Sequence, residues 1–176
     1  MDEKYDNGAI LAQEEIEISP EDTAKSLKNK TVLKARGVVC SLLQALQEDI
    51  IIPLTQIEEK ATYYSHPEVL ELDFKKSTSE LSALIRASYC WSEVYFYHNI
   101  SILLPDVKNF FIEENSTEYT EPGTVVDVNY KTKTVAVLCG DNKVLRMNNI
   151  CHHKKYDRPF TRNYIKLEIK IGDVLS

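Results

Sequence analysis

Cysteine and histidine residues near the C-terminal end of the chain are the first candidates for chemistry. Cys151, His152 and His153 are consecutive, and Cys139 lies twelve residues earlier. Thiolates and imidazoles bind zinc, but zinc sites usually bring paired ligands that are about two to four residues apart. No such pair occurs here, and consecutive histidines on a strand point to opposite faces. We therefore predict a polar loop at this position and no metal site.

Basic residues are concentrated in the C-terminal part of a chain whose net charge is −6. Residues 131–170 hold ten basic side chains and three acidic ones. Such side chains can contact the phosphates of RNA, although an ordinary solvated surface can have the same composition. The candidate RNA-binding residues are Lys131, Lys133, Lys143, Arg146, Lys154 and Lys155. Because Lys131, Lys133 and Lys143 lie at or beside predicted hairpin turns, we expect these three to gather at one end of a barrel.

Aromatic residues form a second concentration, and two roles are open for them. Core packing is the favoured role, since aromatic side chains dominate core energetics, and base stacking is the alternative. The residues concerned are Tyr63, Tyr64, Tyr89, Trp91, Tyr95, Phe96 and Tyr97. Neither a Gly-x-Ser-x-Gly elbow nor a phosphate-binding Gly-rich loop occurs, so the sequence shows no familiar hydrolase or nucleotide-triphosphate motif.

The length and composition fit one ordinary domain or two small ones. The chain has 176 residues, of which 43% are hydrophobic and 27% charged, as in folded globular proteins. No uncharged apolar stretch is long enough to cross a bilayer. The four cysteines are far apart, and the chain opens without a basic-then-apolar leader. We expect reduced thiols in an intracellular protein of the cytoplasm or an organelle matrix.

The N-terminal part predicts one strand followed by one long helix. Ile16 and Ile18 alternate with acidic residues, as in a half-buried strand. Ser19 and Pro20 suit the cap and first position of a helix, and an apolar stripe continues at helical spacing to about Gln47. A single strand and helix cannot bury a sheet by themselves. The pattern therefore indicates the end of a larger α/β domain.

The remainder predicts an extended connection and then a small β domain. Residues 77–80 match a capping box, which predicts a helix that ends near Tyr89. Short strands separated by turn residues follow, and their spacing favours a small antiparallel barrel. The clearest predicted strands are Thr124–Val128, Thr134–Cys139, Lys143–Asn148 and Ile165–Ile171.

Short segments in a fixed order resemble the folate-dependent formyltransferases. The resemblance covers most of the chain, and it is strongest to the C-terminal half of members that formylate methionyl-tRNA. The matching segments are Met1–Leu11, Glu21-Asp22-Thr23, Ala61-Thr62-Tyr63, Leu72-Asp73-Phe74, Ile85-Arg86-Ala87 with Trp91, and Pro122–Val125.

The resemblance implies an α+β chain with three parts. Residues 1–52 would be the βα end of a Rossmann-like catalytic domain, and residues 53–71 would form a linker. Residues 72–176 would form an OB-like antiparallel β-barrel that helps to hold RNA. The family's Pro-Trp-Pro is replaced here by Cys90-Trp91-Ser92, and its Thr-Gly-Asp by Asn7-Gly8-Ala9.

The resemblance also implies the chemistry. In the family, an amine attacks the formyl carbon of 10-formyltetrahydrofolate, and an Asn, a His and an Asp stabilise the oxyanion and assist proton removal. Asp6 matches that Asp, and Asp2, Glu3 and Tyr5 lie where the pterin ring would bind. The Asn and His belong to a segment upstream of this Asp, which this sequence does not include. We therefore do not expect formyl transfer by this chain alone.

Three functions remain open from the sequence. The first is a part of a formyltransferase that acts on methionyl-tRNA, and the second is a related enzyme that acts on a nucleotide-linked amino sugar. The third is a non-catalytic module that binds RNA or protein. The incomplete α/β end predicts self-association or a partner chain that completes the catalytic domain, and no partner membrane is expected.

Overall fold

The computed structural model describes residues 7–63, 70–89, 94–99, 101–106, 108–152 and 168–175. The chain divides into two compact units, Met1–Pro67 and Glu68–Ser176. None of the helices in these described ranges has the length and apolar character needed to span a membrane.

The first unit is built around one long helix, α1, Ala24–Gln47. Thr23 caps this helix in a reciprocal box, in which the Ser26 N–H donates to Thr23 Oγ1 at 3.2 Å and the Thr23 N–H donates to Ser26 Oγ at 2.9 Å. The predicted start at Ser19 and Pro20 was therefore wrong, whereas the predicted end near Gln47 is confirmed. Asp22 accepts the Ser19 N–H at 2.8 Å, and this closes a turn ahead of the helix.

The strand predicted around Ile16 and Ile18 is absent from the structure. In this region only Ile10 pairs, through an antiparallel bridge in which Ile10 and Leu54 exchange backbone hydrogen bonds of 2.8 and 2.9 Å. The Lys34 ammonium contacts the Glu15 carbonyl oxygen at 2.7 Å and so holds the segment beside α1. A strand needs a neighbour along its whole length, and the described part of this unit supplies one only at Leu54.

Helix α1 has no buried residue, although it carries many apolar side chains. Ile52 is 91% exposed, and Leu33 and Ile18 are each 67% exposed. Val32, Val39, Leu43 and Leu46 share one face of the helix, and each is about half exposed. An apolar helix face of this kind is normally covered by another element.

The second unit begins with helix α2, Thr78–Ser88. Ser77 and Glu80 form the capping box that the sequence predicted, and the Glu80 N–H donates to Ser77 Oγ at 3.3 Å. Leu81, Ile85 and Ser88 are buried on one face of the helix. Local sequence signals therefore suffice for this helix.

Within the described ranges of this unit, seven short strands form two antiparallel sheets. Strands β1 (Phe96–His98), β2 (Ser101–Leu104) and β7 (Cys151–His152) form one sheet in the order β1-β2-β7. The other sheet has the order β3-β6-β5-β4, and its strands are Phe110–Glu114 (β3), Val125–Asn129 (β4), Thr134–Leu138 (β5) and Lys143–Met147 (β6). The α+β character and the three central predicted strands are confirmed. Closure into an OB-like barrel and the Rossmann-like remnant stay predictions.

The predicted strand Ile165–Ile171 does not extend through its described residues. Residues 168–170 lie outside any strand, and Ile171 and Gly172 form a turn. The segment nevertheless covers the edge of β4, because the Val125 N–H donates to the Asp173 carbonyl oxygen at 2.8 Å. Asp173 also ties the segment to β1, since its Oδ2 lies 2.9 Å from His98 Nε2. Residues 165–167 lie outside the described ranges.

One core joins α2 to both sheets. Phe74 and Phe96 pack edge to face with ring centroids 5.7 Å apart, beside the buried side chains of Leu81 and Leu145. Core packing is thus confirmed for Phe96, which is fully buried. Tyr63 is 92% exposed in the first unit, whereas Tyr64 and Trp91 lie outside the described residues.

The start of α2 is attached to the turn between β5 and β6. Asp141 Oδ2 accepts the Thr78 N–H at 3.0 Å and the Thr78 hydroxyl at 2.7 Å, and the Gly140 N–H donates to the Lys76 carbonyl oxygen at 2.9 Å. Desolvation, the largest influence on the carboxyl, raises its pKa, but the hydrogen bonds from Thr78 and Lys143 outweigh it. The pKa of Asp141 is therefore lower in the folded protein than its ordinary value.

This lowered pKa predicts how acid affects the second unit. A carboxyl with a depressed folded pKa stabilises the fold above its unfolded pKa of about 3.9, and that contribution is lost as pH falls through the folded value. We expect Asp141→Asn to lower the free energy of unfolding at pH 7 and to make its decline below about pH 4 shallower. Urea unfolding from pH 2 to 8 measures both changes. The exposed Glu118→Gln should alter neither, and an unchanged acid dependence in Asp141→Asn would contradict the assignment.

Candidate nucleic-acid interface

The three lysines predicted at hairpin turns lie at opposite ends of the four-stranded sheet. Lys131 and Lys133 belong to the β4–β5 turn, next to the pair Asn129 and Thr134, whereas Lys143 opens β6 next to the pair Leu138 and Val144. Successive turns of antiparallel strands alternate between the two ends, which for five residues lie about 17 Å apart. The expectation that the three lysines gather at one end was therefore wrong.

Side-chain hydrogen bonds hold the β4–β5 turn in one conformation. Asn129 Oδ1 accepts the N–H groups of Lys131 at 3.0 Å and Thr132 at 3.2 Å, which is typical of an Asx turn. Lys133 adopts a positive φ of 51°, and its carbonyl oxygen accepts the Ile150 N–H at 3.1 Å. The turn therefore presents the exposed Lys131 side chain on a fixed backbone.

Arg146 lies in the middle of the sheet between two carboxylates. Its Nε and Nη2 donate to the two oxygens of Glu113 on β3 at 2.7 and 3.0 Å, and its Nη1 donates to Asp127 Oδ2 on β4 at 2.7 Å. Ala136 on β5 pairs with both Arg146 and Asp127, so a small side chain lies where the guanidinium must cross that strand. The hydrogen bonds to Glu113 raise the pKa of Arg146 most, and the hydrogen bond to Asp127 raises it further.

Two further lysines of the predicted RNA-binding set, Lys143 and Lys133, differ in their surroundings. Lys143 Nζ pairs with Glu114 Oε1 at 3.1 Å, and this glutamate side chain is 83% exposed. Surface pairs of this kind contribute about 0–1 kcal/mol, so the Lys143 ammonium can exchange Glu114 for a phosphate at small cost. Lys133 is half-buried. RNA contacts by Lys131, Lys133, Lys143 and Arg146 stay predictions.

Several predicted site residues lie outside the described ranges. They are Asp2, Glu3, Tyr5 and Asp6 of the predicted catalytic segment, and Lys154 and Lys155 of the predicted RNA-binding set. Their roles also stay predictions.

A polar cleft that the sequence analysis missed lies at the β4–β5 end of the sheet. Its volume is about 430 Å³. Asn148 Oδ1 accepts the Thr134 hydroxyl at 2.7 Å, and Asn109 Nδ2 donates to Asp106 Oδ2 at 2.9 Å. We call it the asparagine cleft, and its lining residues are Asn109, Asp127, Asn129, Thr132, Thr134, Arg146, Asn148 and Asn149.

Little in the sequence could have identified this cleft. Each asparagine lies at or within two residues of the end of a strand, which is an ordinary position for a turn residue. Their convergence depends on strand order, because β6 lies between β3 and β5 and brings Asn109 beside Asn148.

The described residues contain no group of three potential metal ligands. Cys139, one of the four residues weighed above as zinc ligands, is buried in the core. Burial raises the pKa of its thiol to about 12. His153 lies outside the described residues, as do the side chains of Cys151 and His152.

The two cysteines whose side chains the structure describes, Cys40 and Cys139, should differ sharply in reactivity, because the thiolate is the nucleophile in alkylation. Cys40 is exposed on α1, whereas Cys139 is buried and its pKa is raised. We expect iodoacetamide at pH 8 to modify Cys40 in the folded protein and Cys139 only after unfolding in urea. Peptide mass mapping separates the two positions. Equal modification in the folded protein would contradict the burial of Cys139.

Comparison with known proteins identifies relatives of the chain. The family profile described as "Formyl transferase, C-terminal domain" matches residues 65–157. A methionyl-tRNA formyltransferase of Lachnospira eligens is 32% identical over 145 residues, which are 80% of this chain and 45% of that protein.

Two further relatives carry the same name. The protein of Clostridium novyi is 28% identical over 143 residues, which cover 80% of this chain and 45% of the relative. The protein of Francisella tularensis subsp. novicida is 30% identical over 154 residues, which cover 85% of this chain and 46% of the relative. The chain spans about half the length of the curated relatives that it matches.

Proposed function

Since the chain belongs to the formyltransferase family through its C-terminal domain, we propose that it is part of an enzyme that transfers a formyl group to the amino group of methionyl-tRNA. The family match over residues 65–157 carries this proposal. The relatives described above are named for methionyl-tRNA, which favours tRNA over a nucleotide-linked amino sugar as the acceptor. The formyl donor in the proposal is 10-formyltetrahydrofolate, a second substrate.

The proposal divides the chain as the resemblance implies. Residues 1–52 contribute the end of a Rossmann-like catalytic domain, residues 53–71 a linker, and residues 72–176 an OB-like domain that holds the tRNA. Asp6 assists removal of the proton from the attacking amine, and Asp2, Glu3 and Tyr5 line the pterin site. The Asn and His of the family are supplied by polypeptide outside this sequence, either in the same chain or in a second one.

The exposed apolar surface of the first unit supports completion by further polypeptide. The open face of α1 carries Val32, Val39, Leu43 and Leu46, and Ile52 and Leu54 are exposed in the segment that follows. Covering such a surface is favourable by about 25 cal/mol for each Å² of apolar area. In the proposal, the remainder of the catalytic domain covers this surface.

The β4–β5 turn supports contact with the tRNA. Lys131 is exposed there on a backbone fixed by Asn129, and Lys133 is two residues further along the chain. Lysines in fixed positions gain affinity for phosphates through the release of counterions. Arg146 has two carboxylate partners already, so we assign it mainly to the stability of the sheet.

Binding of methionyl-tRNA to the full chain tests the proposal. We expect the affinity to fall steeply as salt rises, and we expect Lys131→Glu with Lys133→Glu to reduce the slope of log affinity against log salt by about two. The matched control is Lys75→Glu with Lys76→Glu, which makes the same change in charge near the opposite end of the sheet. Fluorescence anisotropy over 50–300 mM KCl measures the tRNA affinity of the parent protein and of the two double variants.

Two outcomes would contradict the tRNA-binding part. One is binding that does not depend on salt, and the other is an equal effect of the two lysine pairs. Lys143→Glu, measured separately, shows whether the contact extends across the sheet to the β5–β6 end. Formyl transfer itself is tested by the Asp6 substitution described below.

A further inference from the structure

The asparagine cleft presents hydrogen-bond donors in fixed orientations. Asn129 Oδ1 is occupied by the N–H groups of Lys131 and Thr132, and Asn148 Oδ1 is occupied by the Thr134 hydroxyl. Each oxygen therefore determines how its amide is turned. Among the described residues, the Nδ2 groups of Asn129 and Asn148 have no hydrogen-bond partner and remain able to donate to a ligand.

The charged groups of the cleft neutralise one another. Arg146 donates to Asp127 within the cleft and to Glu113 beside it, so Arg146 and Asp127 balance within the cleft and Glu113 adds one negative charge beside it. An anion in the cleft would meet no excess positive charge. The cleft thus suits neutral groups that both donate and accept hydrogen bonds, as the edge of a nucleobase and the hydroxyls of a ribose do.

The cleft is open to solvent and has room for part of a nucleotide. A volume of about 430 Å³ lies within the range of small-molecule sites in proteins. Lys131 is not among the residues that line the cleft, but it follows Asn129 by two residues on the same turn and its side chain is exposed. Lys131 is thus the cation of the turn that also supplies Asn129 to the cleft.

We propose that the asparagine cleft binds one nucleotide, with its base and ribose on the amides of Asn129 and Asn148 and its phosphate on Lys131. Where that nucleotide is part of an RNA strand, the inference rests on the proposed function and adds a base-contacting site to it. A free nucleoside monophosphate presents the same chemistry, and the experiment separates the two sources.

The first arm uses the full chain and small ligands. We expect AMP, CMP, GMP or UMP to shift the side-chain amide signals of Asn129 and Asn148 in ¹⁵N–¹H NMR spectra, and inorganic phosphate to leave them unchanged. Asn148→Asp keeps the acceptor for Thr134 and replaces the free donor by an acceptor, so the affinity for the monophosphate should fall about tenfold. Lys131→Gln should lower the affinity for the nucleoside monophosphate and leave the affinity for the free nucleoside unchanged.

Asn142→Asp provides the matched control. Asn142 Oδ1 accepts a hydrogen bond from Asn115 Nδ2 at 2.9 Å in the β5–β6 turn, so the control also keeps an acceptor and adds one negative charge, at the other end of the sheet. The backbone amide spectrum of each variant reports whether the fold is retained. Lys131→Gln alters an exposed side chain, and it keeps the test decisive if Asn148→Asp fails to fold.

The second arm measures tRNA binding by the same variants. Weaker tRNA binding by Asn148→Asp than by Asn142→Asp supports a cleft that holds a nucleotide of the RNA. Monophosphate binding without any tRNA binding supports the cleft with free nucleotide as its source, and contradicts the proposed function. If tRNA binds equally to both variants and no monophosphate shifts the amide signals, the cleft proposal is overturned and the proposed function stands. Absence of both kinds of binding overturns both.

Discussion

Replacing Gly140 with alanine should destabilise the second unit by about 3 kcal/mol or more, at the upper end of what overpacking costs. A Cβ atom at this position would lie 1.9 Å from the carbonyl oxygen of Lys75 and 2.7 Å from its carbonyl carbon. Both atoms belong to the backbone, so no flexible side chain can move aside. For a domain of this size we expect a fall in melting temperature of about 10–20 °C.

The clash is severe because the neighbouring backbone is held from two sides. The Gly140 N–H donates to the Lys76 carbonyl oxygen, and Asp141 binds both the N–H and the hydroxyl of Thr78. To make room for a methyl group, the start of α2 must move away from the β5–β6 turn. That movement would disrupt the contacts that attach the helix to the sheet.

Gly37→Ala is the matched control for Gly140→Ala. Gly37 lies within α1, and apart from the adjacent backbone of that helix no described atom lies within 4 Å of the position that its Cβ would take. Alanine should therefore favour the helix by about 0.5–1 kcal/mol, because glycine loses more backbone entropy in a helix. Circular dichroism during urea unfolding measures both variants. A Gly140→Ala protein as stable as the parent would contradict the close approach of α2 to the sheet.

Asp6→Asn should reduce formyl transfer by about 100-fold or more in the completed enzyme, since general acid–base groups contribute about 10²–10⁴-fold to rate. The amide keeps the size of the side chain but cannot take up a proton. We expect kcat for methionyl-tRNA to fall while the affinity for tRNA is unchanged, because Asp6 is not among the predicted RNA-binding residues. Single-turnover assays with 10-formyltetrahydrofolate measure the transfer step directly.

Asp49→Asn is the control for this substitution. Asp49 lies just beyond the end of α1 with a positive φ of 53°, a conformation that asparagine adopts readily. Asp49→Asn makes the same Asp-to-Asn change in the same unit, and it should leave the rate of formyl transfer and the free energy of unfolding nearly unaltered. Near-normal turnover in Asp6→Asn would remove Asp6 from the mechanism. Loss of turnover in both variants would point to a structural effect.

Patterns within a few residues predicted much of the local structure. Ser77 and Glu80 identified the start of α2, and alternating residues between turn signals identified the central strands. The start of α1 was misplaced because Ser19 and Pro20 form a plausible cap of their own. Thr23 and Ser26 satisfy each other's backbone N–H groups reciprocally, and that arrangement determines where the helix begins.

By itself, the sequence determined the α+β character, the cap of α2, the end of α1 and the formyltransferase resemblance. These depend on hydrogen bonds and periodicities between near neighbours, or on the order of short segments. The tertiary structure alone decided where the charges lie. It separated Lys143 from Lys131, paired Arg146 with Glu113 and Asp127, and formed the asparagine cleft. Such contacts depend on strand order and register, which many alternating sequences share and only the packing of the whole sheet selects.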